Sequence, residues 1–210
     1  MIQIAVQVAA LLFAVSAHES AHGWVALRCG DTTARDLGRI SLNPLRHLDP
    51  LGSVVVPAIL AFTGAPVFGW ARPVPISLAQ TRDPRSANLL ISAAGPISNL
   101  LLAAVFGLAF ITLRENPGLV PDAAWVRPVL LFLVYSTLIN VILAVFNLLP
   151  IPPLDGFGVL ESLVPPRVYP MLATWRKWGF VVLLLVIFSG ALGQILGPTQ
   201  SRVLDWLLAR

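Results

Sequence analysis

The sequence predicts an all-α polytopic membrane protein with about four to five transmembrane helices, a small membrane-associated β-sheet and a re-entrant segment as an option. Its 210 residues are 57% hydrophobic and 11% charged, and the mean hydropathy is +0.82. A water-soluble domain of this size has no core large enough to hide so much apolar surface. Four apolar runs reach the ~20 residues that a helix needs to cross a bilayer. These runs are 1–27, 88–113, 128–150 and 178–197.

A fifth apolar run, 51–68, is shorter and contains Pro57, Gly64 and Pro66. Because proline removes a backbone donor and breaks helices, this run suits a re-entrant segment at least as well as a span. Two further stretches, 33–42 and 67–77, have strand character, and the second contains Trp70, Pro73 and Pro75 in near alternation. We expect them to form the small sheet at the membrane face.

The basic residues indicate whether 51–68 crosses the membrane, since Lys and Arg concentrate on the cytoplasmic side of membrane proteins. If 51–68 does not cross, the 14 basic residues divide into ten on one side and four on the other. If it does cross, they divide into eight and six, which is almost no bias. The non-crossing arrangement is therefore favoured, with the N-terminus outside and 28–87 on the cytoplasmic face.

The chain shows no repeat, low-complexity tract or long linker, so we expect one domain over 1–210 with a C-terminal helix at about 178–197. The sequence pI is 10.2, but the basic residues are scattered singly apart from the pair Arg176 and Lys177. This pattern indicates membrane topology and argues against a nucleic-acid partner.

The first chemical motif is HExxH, formed by His18, Glu19 and His22 inside the run 2–27. Residues i and i+4 share one face of a helix, so the two imidazoles converge and Glu19 stands beside them. Neutral imidazole binds zinc well, and Glu19 can serve as the base toward a water in the open coordination position. A charged side chain costs ~2.5–3.5 kcal/mol within a bilayer, so Glu19 itself indicates function. The weaker alternative is a chance pattern in which the histidines only satisfy hydrogen bonds.

A catalytic zinc ion needs a third protein ligand, and Asp155 is the strongest candidate. It follows an apolar helix that Pro150 and Pro152 bring to an end, and Gly156 permits a sharp turn that aims the carboxylate back into the bundle. The alternative is an ordinary interfacial aspartate, and Glu161 is the fallback ligand. In the non-crossing arrangement, both motifs lie toward the cytoplasmic ends of helices that run in the same direction.

Other polar residues in or near the apolar runs are weaker candidates. Asn140 and Asn147 lie two helical turns apart, so both can face the site. The alternative is that they form hydrogen bonds between helices, which is as well supported as a role in the site for Asn140 and less so for Asn147. For Gly95 and Asn99, four residues apart, close helix packing is the preferred interpretation. His47 lies among polar loop residues and is interpreted as a loop residue or a neighbour of the ligands.

Three motifs together resemble the site-2 protease family of intramembrane zinc metalloproteases, over roughly residues 10–165. They are HExxH in the first helix, Gly95-Pro96-x-x-Asn99 in the middle helix, and Asn147-x-x-Pro150-x-Pro152-x-Leu154-Asp155-Gly156 after the later one. The resemblance implies one Zn²⁺ per chain on His18, His22 and Asp155, with Glu19 activating water. It also implies that Asn147 positions the substrate or stabilises the oxyanion.

The same resemblance implies hydrolysis of peptide bonds in or near transmembrane segments, that is, regulated intramembrane proteolysis of a single-pass membrane protein. The enzyme would be a multi-pass protein of the plasma membrane with its active site toward the cytoplasm, and a homo-oligomer is compatible with the sequence. The predicted sheet would take the substrate as an added strand. Many members carry an appended soluble domain, and we expect none in this sequence, which leaves the route of substrate choice open.

Two other function classes compete with a protease. A metal transporter would place ligands at several depths along a polar route, whereas the candidate ligands here collect at one depth. A non-catalytic membrane scaffold would not need Glu19 together with His18, His22 and Asp155. The sequence therefore favours a zinc metalloendopeptidase.

Overall fold

The computed structural model describes residues 2–65, 68–121 and 123–209, and α-helices make up most of this part. The α-helices in chain order are α1 Ile2–Cys29, α2 Thr33–Asp36, α3 Val56–Thr63, α4 Pro84–Glu115, α5 Val126–Asn147, α6 Asp155–Leu163, α7 Tyr169–Phe188 and α8 Ala191–Leu208. Four helices of the described residues are long and apolar enough to cross a membrane: α1, α4, α5 and the stretch Pro166–Phe188 that contains α7. The predicted all-α membrane architecture is confirmed.

Helices α1, α4 and α5 pack into the bundle that carries the site. Asn99 donates to the carbonyl of Ala14 (3.3 Å), whereas Ile91 lies beside His22, so α4 runs antiparallel to α1. Helix α5 runs parallel to α1, because Tyr135 in α5 meets Gln3 near the start of α1, whereas Asn140, further along α5, meets Asn99 beside Ala14. The segment between α1 and α4 thus begins and ends on one side of the bundle, in agreement with the non-crossing arrangement.

Small side chains allow the helices of this bundle to approach closely. The alanines buried between them are fully or almost fully shielded from solvent: Ala10, Ala14, Ala26, Ala87, Ala103 and Ala144. Without a hydrophobic driving force between helices in lipid, such small residues let backbones pack by van der Waals contact. Polar groups can then meet across the bundle at short distances.

The described part of the fifth apolar run, 51–68, contains two short helical pieces. A π-helix covers Pro50–Val55 and continues directly into α3, which ends at Thr63 and is followed by Gly64 with a left-handed φ of 73°. At 1.5 Å per residue, the stretch Pro50–Thr63 extends only about 21 Å, less than the ~30 Å hydrocarbon core. This helical stretch is therefore too short to span the membrane. Pro66, which was also expected to break the helix, lies outside the described residues.

The predicted β-sheet is wrong, since the part of the chain that the structure describes contains no strand. The stretch 33–42 begins with the four-residue helix α2 and continues through turns. The stretch 67–77, whose first residue lies outside the described ranges, has no regular secondary structure and no neighbouring strand, and its prolines at 73 and 75 cannot donate to one. We call the described part, residues 68–77, the extended segment.

Backbone donors of the extended segment bind to four different parts of the molecule. Trp70 donates to the carbonyl of Gly52 (3.1 Å) and Arg72 to that of His47 (2.8 Å). Further along, Val74 donates to Glu19 Oε2 (3.1 Å) and Ser77 to Asp31 Oδ2 (2.6 Å). These bonds replace the ladder of a sheet and hold the segment against α1.

The C-terminal run is divided differently from the prediction. The predicted helix 178–197 is interrupted after Phe188, where Gly190 takes a φ of 77° and starts α8. Glycine adopts this backbone conformation without a steric penalty, and the surrounding apolar composition gives no sign of the break. Helix α8 packs on the bundle, with Trp206 against Gly107 and the carbonyl of buried Leu207 bonded to Arg114.

The Asp31 carboxylate joins the end of α1 to the extended segment. It is buried and accepts hydrogen bonds from the backbone and hydroxyl of Thr33 as well as from Ser77. Burial by itself raises the pKa of Asp31, but these hydrogen bonds outweigh it and hold the pKa below its ordinary value.

We expect the stabilisation from Asp31 to be complete above the pKa of a free aspartate, ~3.9, and to be lost as the pH falls through the lower pKa of the folded state. Replacing Asp31 with asparagine should therefore lower the thermal midpoint of unfolding in detergent at neutral pH, by an amount equivalent to about 1–3 kcal/mol in the free energy of unfolding. The midpoint of this variant should also change less than that of wild type as the pH is lowered. The exposed Asp36→Asn is the matched control and should change little. Equal midpoints for wild type and Asp31→Asn at neutral pH would contradict this role.

Candidate metal centre

Three side chains from two elements converge at one point in the bundle. His18 and His22 come from α1, and Asp155 is the first residue of α6. His18 Nε2 lies 3.1 Å from His22 Nε2 and 3.1 Å from Asp155 Oδ2, and His22 Nε2 lies 3.4 Å from Asp155 Oδ1. Among the described residues, these form the group of three side chains that could hold a metal ion. The structure thus brings together the three predicted ligands.

The outer nitrogens of both imidazoles are already bonded. His22 Nδ1 lies 2.6 Å from the carbonyl oxygen of Ile91, which can only accept, so Nδ1 carries the proton. His18 Nδ1 lies 2.6 Å from Asn99 Oδ1, and the amide orientation of Asn99 is fixed because its Nδ2 donates to Ala14 and Asn140. Both neutral imidazoles therefore direct the lone pair of Nε2 into the centre of the site.

This donor set fits a zinc ion. Two imidazole lone pairs and a carboxylate face each other with no proton between them, and buried Asp155 Oδ2 has no hydrogen-bond partner. Such an arrangement of electron pairs is unfavourable unless a cation lies between them. A tetrahedral zinc with bonds of ~2.0–2.1 Å separates its ligand atoms by about 3.3 Å, close to the distances found here.

Glu19 stands beside this centre on the next position of α1. Its side chain is half-buried, and Oε2 accepts a hydrogen bond from the backbone of Val74 (3.1 Å). The second carboxylate oxygen is left for proton transfer, so the extended segment orients the predicted base.

Asp155 reaches the site through the turn that connects α5 to α6. The helix α5 ends at Asn147, and the proline-rich residues 148–154 follow without regular structure. Gly156 does not serve the turn through a left-handed conformation, since its φ is not positive. Instead, a Cβ at Gly156 would lie 2.2 Å from the carbonyl oxygen of Leu148, which shows that the turn packs directly on α6.

Helix α4 supplies residues of the site that the sequence interpretation assigned to helix packing. A Cβ at Gly95 would lie 2.4 Å from His22 Nε2 and 2.6 Å from His18 Nε2, so the space for the imidazoles exists because position 95 is glycine. Asn99 orients His18, and Asn140 in turn accepts from Asn99 (2.7 Å) and donates to Ser136 (2.7 Å). The four-residue spacing places Gly95 and Asn99 on one face of α4, but it does not distinguish support of a ligand from close helix packing.

The remaining candidates lie elsewhere. Asn147 is half-buried at the end of α5, and its amide donates to the carbonyl of Leu143 (2.9 Å). Glu161 pairs with Arg176 and is not part of the metal group. His47 is buried in the loop, where Nε2 bonds to the carbonyl of Ser41 (2.7 Å).

We expect Asn99→Leu to lower zinc affinity by ~10–100-fold, because partners that orient a ligating histidine have effects of this size. Leucine has a similar volume but cannot accept from His18 Nδ1. The measurement is competition for zinc with a chelator of known affinity in detergent. The neighbouring Ser98→Ala, which removes only a bond to Gly95 within the helix, should bind zinc like wild type. Unchanged affinity in a folded Asn99→Leu variant would show that Asn99 serves packing alone.

Comparison with known proteins shows which family the chain belongs to. Residues 118–188, which include Asn147 and Asp155, match the model of peptidase family M50. A relative from Bacillus subtilis, named "Putative zinc metalloprotease YwhC", is 39% identical over 94% of this chain and 87% of its own length. The chain belongs to peptidase family M50, the site-2 protease family. An alignment over 94% of the chain takes in both the HExxH motif and the Asp155 motif.

Two mycobacterial relatives of this M50 peptidase bear the same kind of name. Rip2 of Mycolicibacterium smegmatis is 29% identical over 89% of this chain and 68% of its own length, and Rip2 of Mycobacterium tuberculosis is 31% identical over 88% and 67%. No solved structure gives a significant match to the chain. The M50 chain is thus a membrane metallopeptidase whose family uses zinc, and its residues at the centre fit that ion.

Proposed function

We propose that this M50 peptidase hydrolyses peptide bonds in or near the transmembrane segment of a single-pass membrane protein, as in regulated intramembrane proteolysis. The observation that carries the proposal is the depth of the metal centre. His22 lies seven residues before the end of α1 and His18 lies eleven, which corresponds to about 10 and 16 Å along the helix axis. The centre is therefore below the end of a helix that is long and apolar enough to span the membrane.

We propose that a cavity of about 320 Å³ beside Asp155 serves as the route by which water reaches this depth. Asp155 lies in its wall, and further polar groups line it, namely Asn88, Ser92, Glu161 and Arg176. A peptide hydrolase inside a membrane needs such a route because the hydrocarbon core holds no water. A helical substrate must also unwind locally before attack, since its carbonyls are bonded within the helix.

In the proposed mechanism, His18, His22 and Asp155 hold one zinc ion, which when bound supplies a Lewis acid and lowers the pKa of water. Glu19 takes the proton from the attacking water and later gives it to the nitrogen of the leaving amine. The hydrogen bond from Val74 keeps the Glu19 carboxylate in place during both transfers.

We assign Asn147 to substrate positioning or oxyanion stabilisation, supported by its place eight residues before Asp155 in the Asn-x-x-Pro motif. Asn140 was predicted for the same task, but both ends of its amide are bonded inside the bundle. These bonds support the alternative interpretation of Asn140, hydrogen bonding between helices. The substrate has no sheet to join as an added strand, since the described residues contain no strand.

The basic residues support an orientation with the metal centre toward the cytoplasm, and we propose the plasma membrane as its location. Arg28 at the end of α1 and Arg85 at the start of α4 lie on the metal side of the bundle, whereas Arg114 and Arg127 lie at the opposite ends of their helices. This distribution agrees with the positive-inside rule.

The test is reconstitution of the purified enzyme in vesicles with a single-pass substrate, followed by mass spectrometry of the products. A soluble peptide with the sequence that flanks the substrate helix on its cytoplasmic side is the comparison. The proposal predicts a cut within or at the edge of the membrane segment and slow cleavage of the soluble peptide. Equal cleavage of the soluble peptide, with no cut near the membrane segment, would overturn it.

A further inference from the structure

A second cavity, of about 440 Å³, lies in the segment between α1 and α4, apart from the metal centre. Arginine and leucine side chains form most of its wall: Leu37, Arg39, Leu45, Arg46, Leu48 and Arg72. A cavity with both positive charge and apolar surface suits an amphipathic anion better than a purely polar or purely apolar molecule.

The three arginines of this cavity have no acidic partner within ion-pair distance among the described residues. The aspartates of the same segment are engaged elsewhere. Asp36 pairs with Arg35 and accepts from Thr32, whereas Asp49 caps the backbone of Gly52 (2.7 Å). The positive charge of the cavity is therefore not neutralised by the segment that forms it.

Backbone carbonyls hold two of the guanidinium groups in place. Arg39 donates to the carbonyls of Arg46, Arg72 and Pro73, and Arg46 donates to that of Gly38 (2.9 Å). Burial, followed by the charges of Arg72 and Arg46, lowers the pKa of Arg39, although Glu19 acts in the opposite direction. The cluster thus accumulates repulsive positive charge, which an anion would relieve.

The position of the cavity favours a lipid as the source of that anion. Trp24 near the end of α1 is exposed, with the Arg28 guanidinium 4.5 Å from its ring centre, as expected for residues at a membrane interface. The segment that follows exposes Leu42 and Leu45, the latter to 75%. Leucines exposed to this extent next to arginines fit the boundary between headgroups and acyl chains.

We propose that this cavity binds the phosphate of an anionic phospholipid. Arg72, whose guanidinium is exposed and has no hydrogen bond to the described residues, contacts the phosphate together with Arg46. Arginine matches phosphate oxygens through paired N–H donors. Leu37 and Leu45 contact the glycerol and the first acyl carbons. The bound lipid fixes the loop that leads into the extended segment and so anchors it at the membrane surface.

The test is native mass spectrometry of the full chain, released from neutral detergent containing either phosphatidylglycerol or phosphatidylcholine. Wild type should retain phosphatidylglycerol selectively, and Arg72→Gln should reduce its retention by about tenfold, the effect of losing a charge-assisted hydrogen bond. Arg82→Gln is the matched control, since Arg82 is an exposed arginine of the same segment outside the cavity, and it should retain lipid like wild type.

Two further measurements distinguish a phospholipid from a free phosphate compound as the anion that the cavity binds. Leu45→Gln keeps all three arginines and should lower phosphatidylglycerol retention while leaving any weak binding of glycerol 3-phosphate unchanged. Competition by glycerol 3-phosphate at the lipid concentration would mean a site for free phosphate and would overturn the lipid assignment. Equal lipid retention by wild type and a folded Arg72→Gln would overturn the site itself, as would binding of an acidic peptide that Arg72→Gln abolishes while lipid retention stays the same.

Discussion

Glu19→Gln is expected to lower the rate of peptide hydrolysis by ~10²–10⁴-fold while zinc stays bound, because it removes the general base without touching a ligand. Glutamine has the same shape, and its amide oxygen can still accept the hydrogen bond from Val74. The extended segment should therefore keep its place. The measurements are zinc content by atomic absorption and initial rates on the single-pass substrate in vesicles.

The control for this substitution is Glu115→Gln, which makes the same chemical change at an exposed residue at the far end of α4. It should leave both zinc content and rate near wild type. Substantial hydrolysis by Glu19→Gln would show that another group acts as base, and the role of Glu19 would have to be abandoned. Loss of zinc from this variant would instead mean that Glu19 contributes to the metal site.

Gly95→Ala is expected to abolish both zinc binding and hydrolysis, although it adds a single methyl group. The new Cβ would lie within 2.4–2.6 Å of atoms in both imidazole rings, a distance at which one or both rings must move. The rings are held on their outer sides by Asn99 and Ile91, so they cannot shift without breaking these bonds. Because ligand distances matter to within ±0.2 Å, such a shift should remove the metal.

Gly193→Ala provides the matched control, since a Cβ at this position in α8 would meet no atom within 4 Å. It should bind zinc and hydrolyse substrate like wild type. A Gly95→Ala variant that is folded and binds zinc with wild-type affinity would contradict the packing described for α4. Thermal unfolding of both variants separates a damaged site from a damaged fold.

The convergence of the three candidate ligands was predictable from the sequence because it depends on local spacing. His18 and His22 share a helix face by their separation alone, and Asp155 follows a helix end that prolines make recognisable. The role of Asn99 was not predictable in this way. It depends on which face of α4 packs against α1, and the spacing of Gly95 and Asn99 suits close packing and ligand support equally well.

The sheet was mispredicted for a related reason. The near alternation of Trp70, Pro73 and Pro75 indicated a strand, but a strand also needs a partner, and partners are a property of the tertiary structure. In this chain, the bundle and the preceding loop supply individual acceptors in place of a partner strand. The break at Gly190 escaped prediction because one glycine in an apolar run is compatible with a continuous helix.

The backbone donors that anchor the extended segment belong to every second residue, namely Trp70, Arg72 and Val74. Successive backbone donors of an extended chain point to opposite sides, so every second residue faces the same partner surface. Insertion of one residue between Arg72 and Val74 would turn the Val74 donor to the side opposite the donors of Trp70 and Arg72, away from Glu19. Insertion of two residues would restore the facing side. Lengths in this part of the chain are therefore constrained in steps of two, even where the side chains themselves are free to vary.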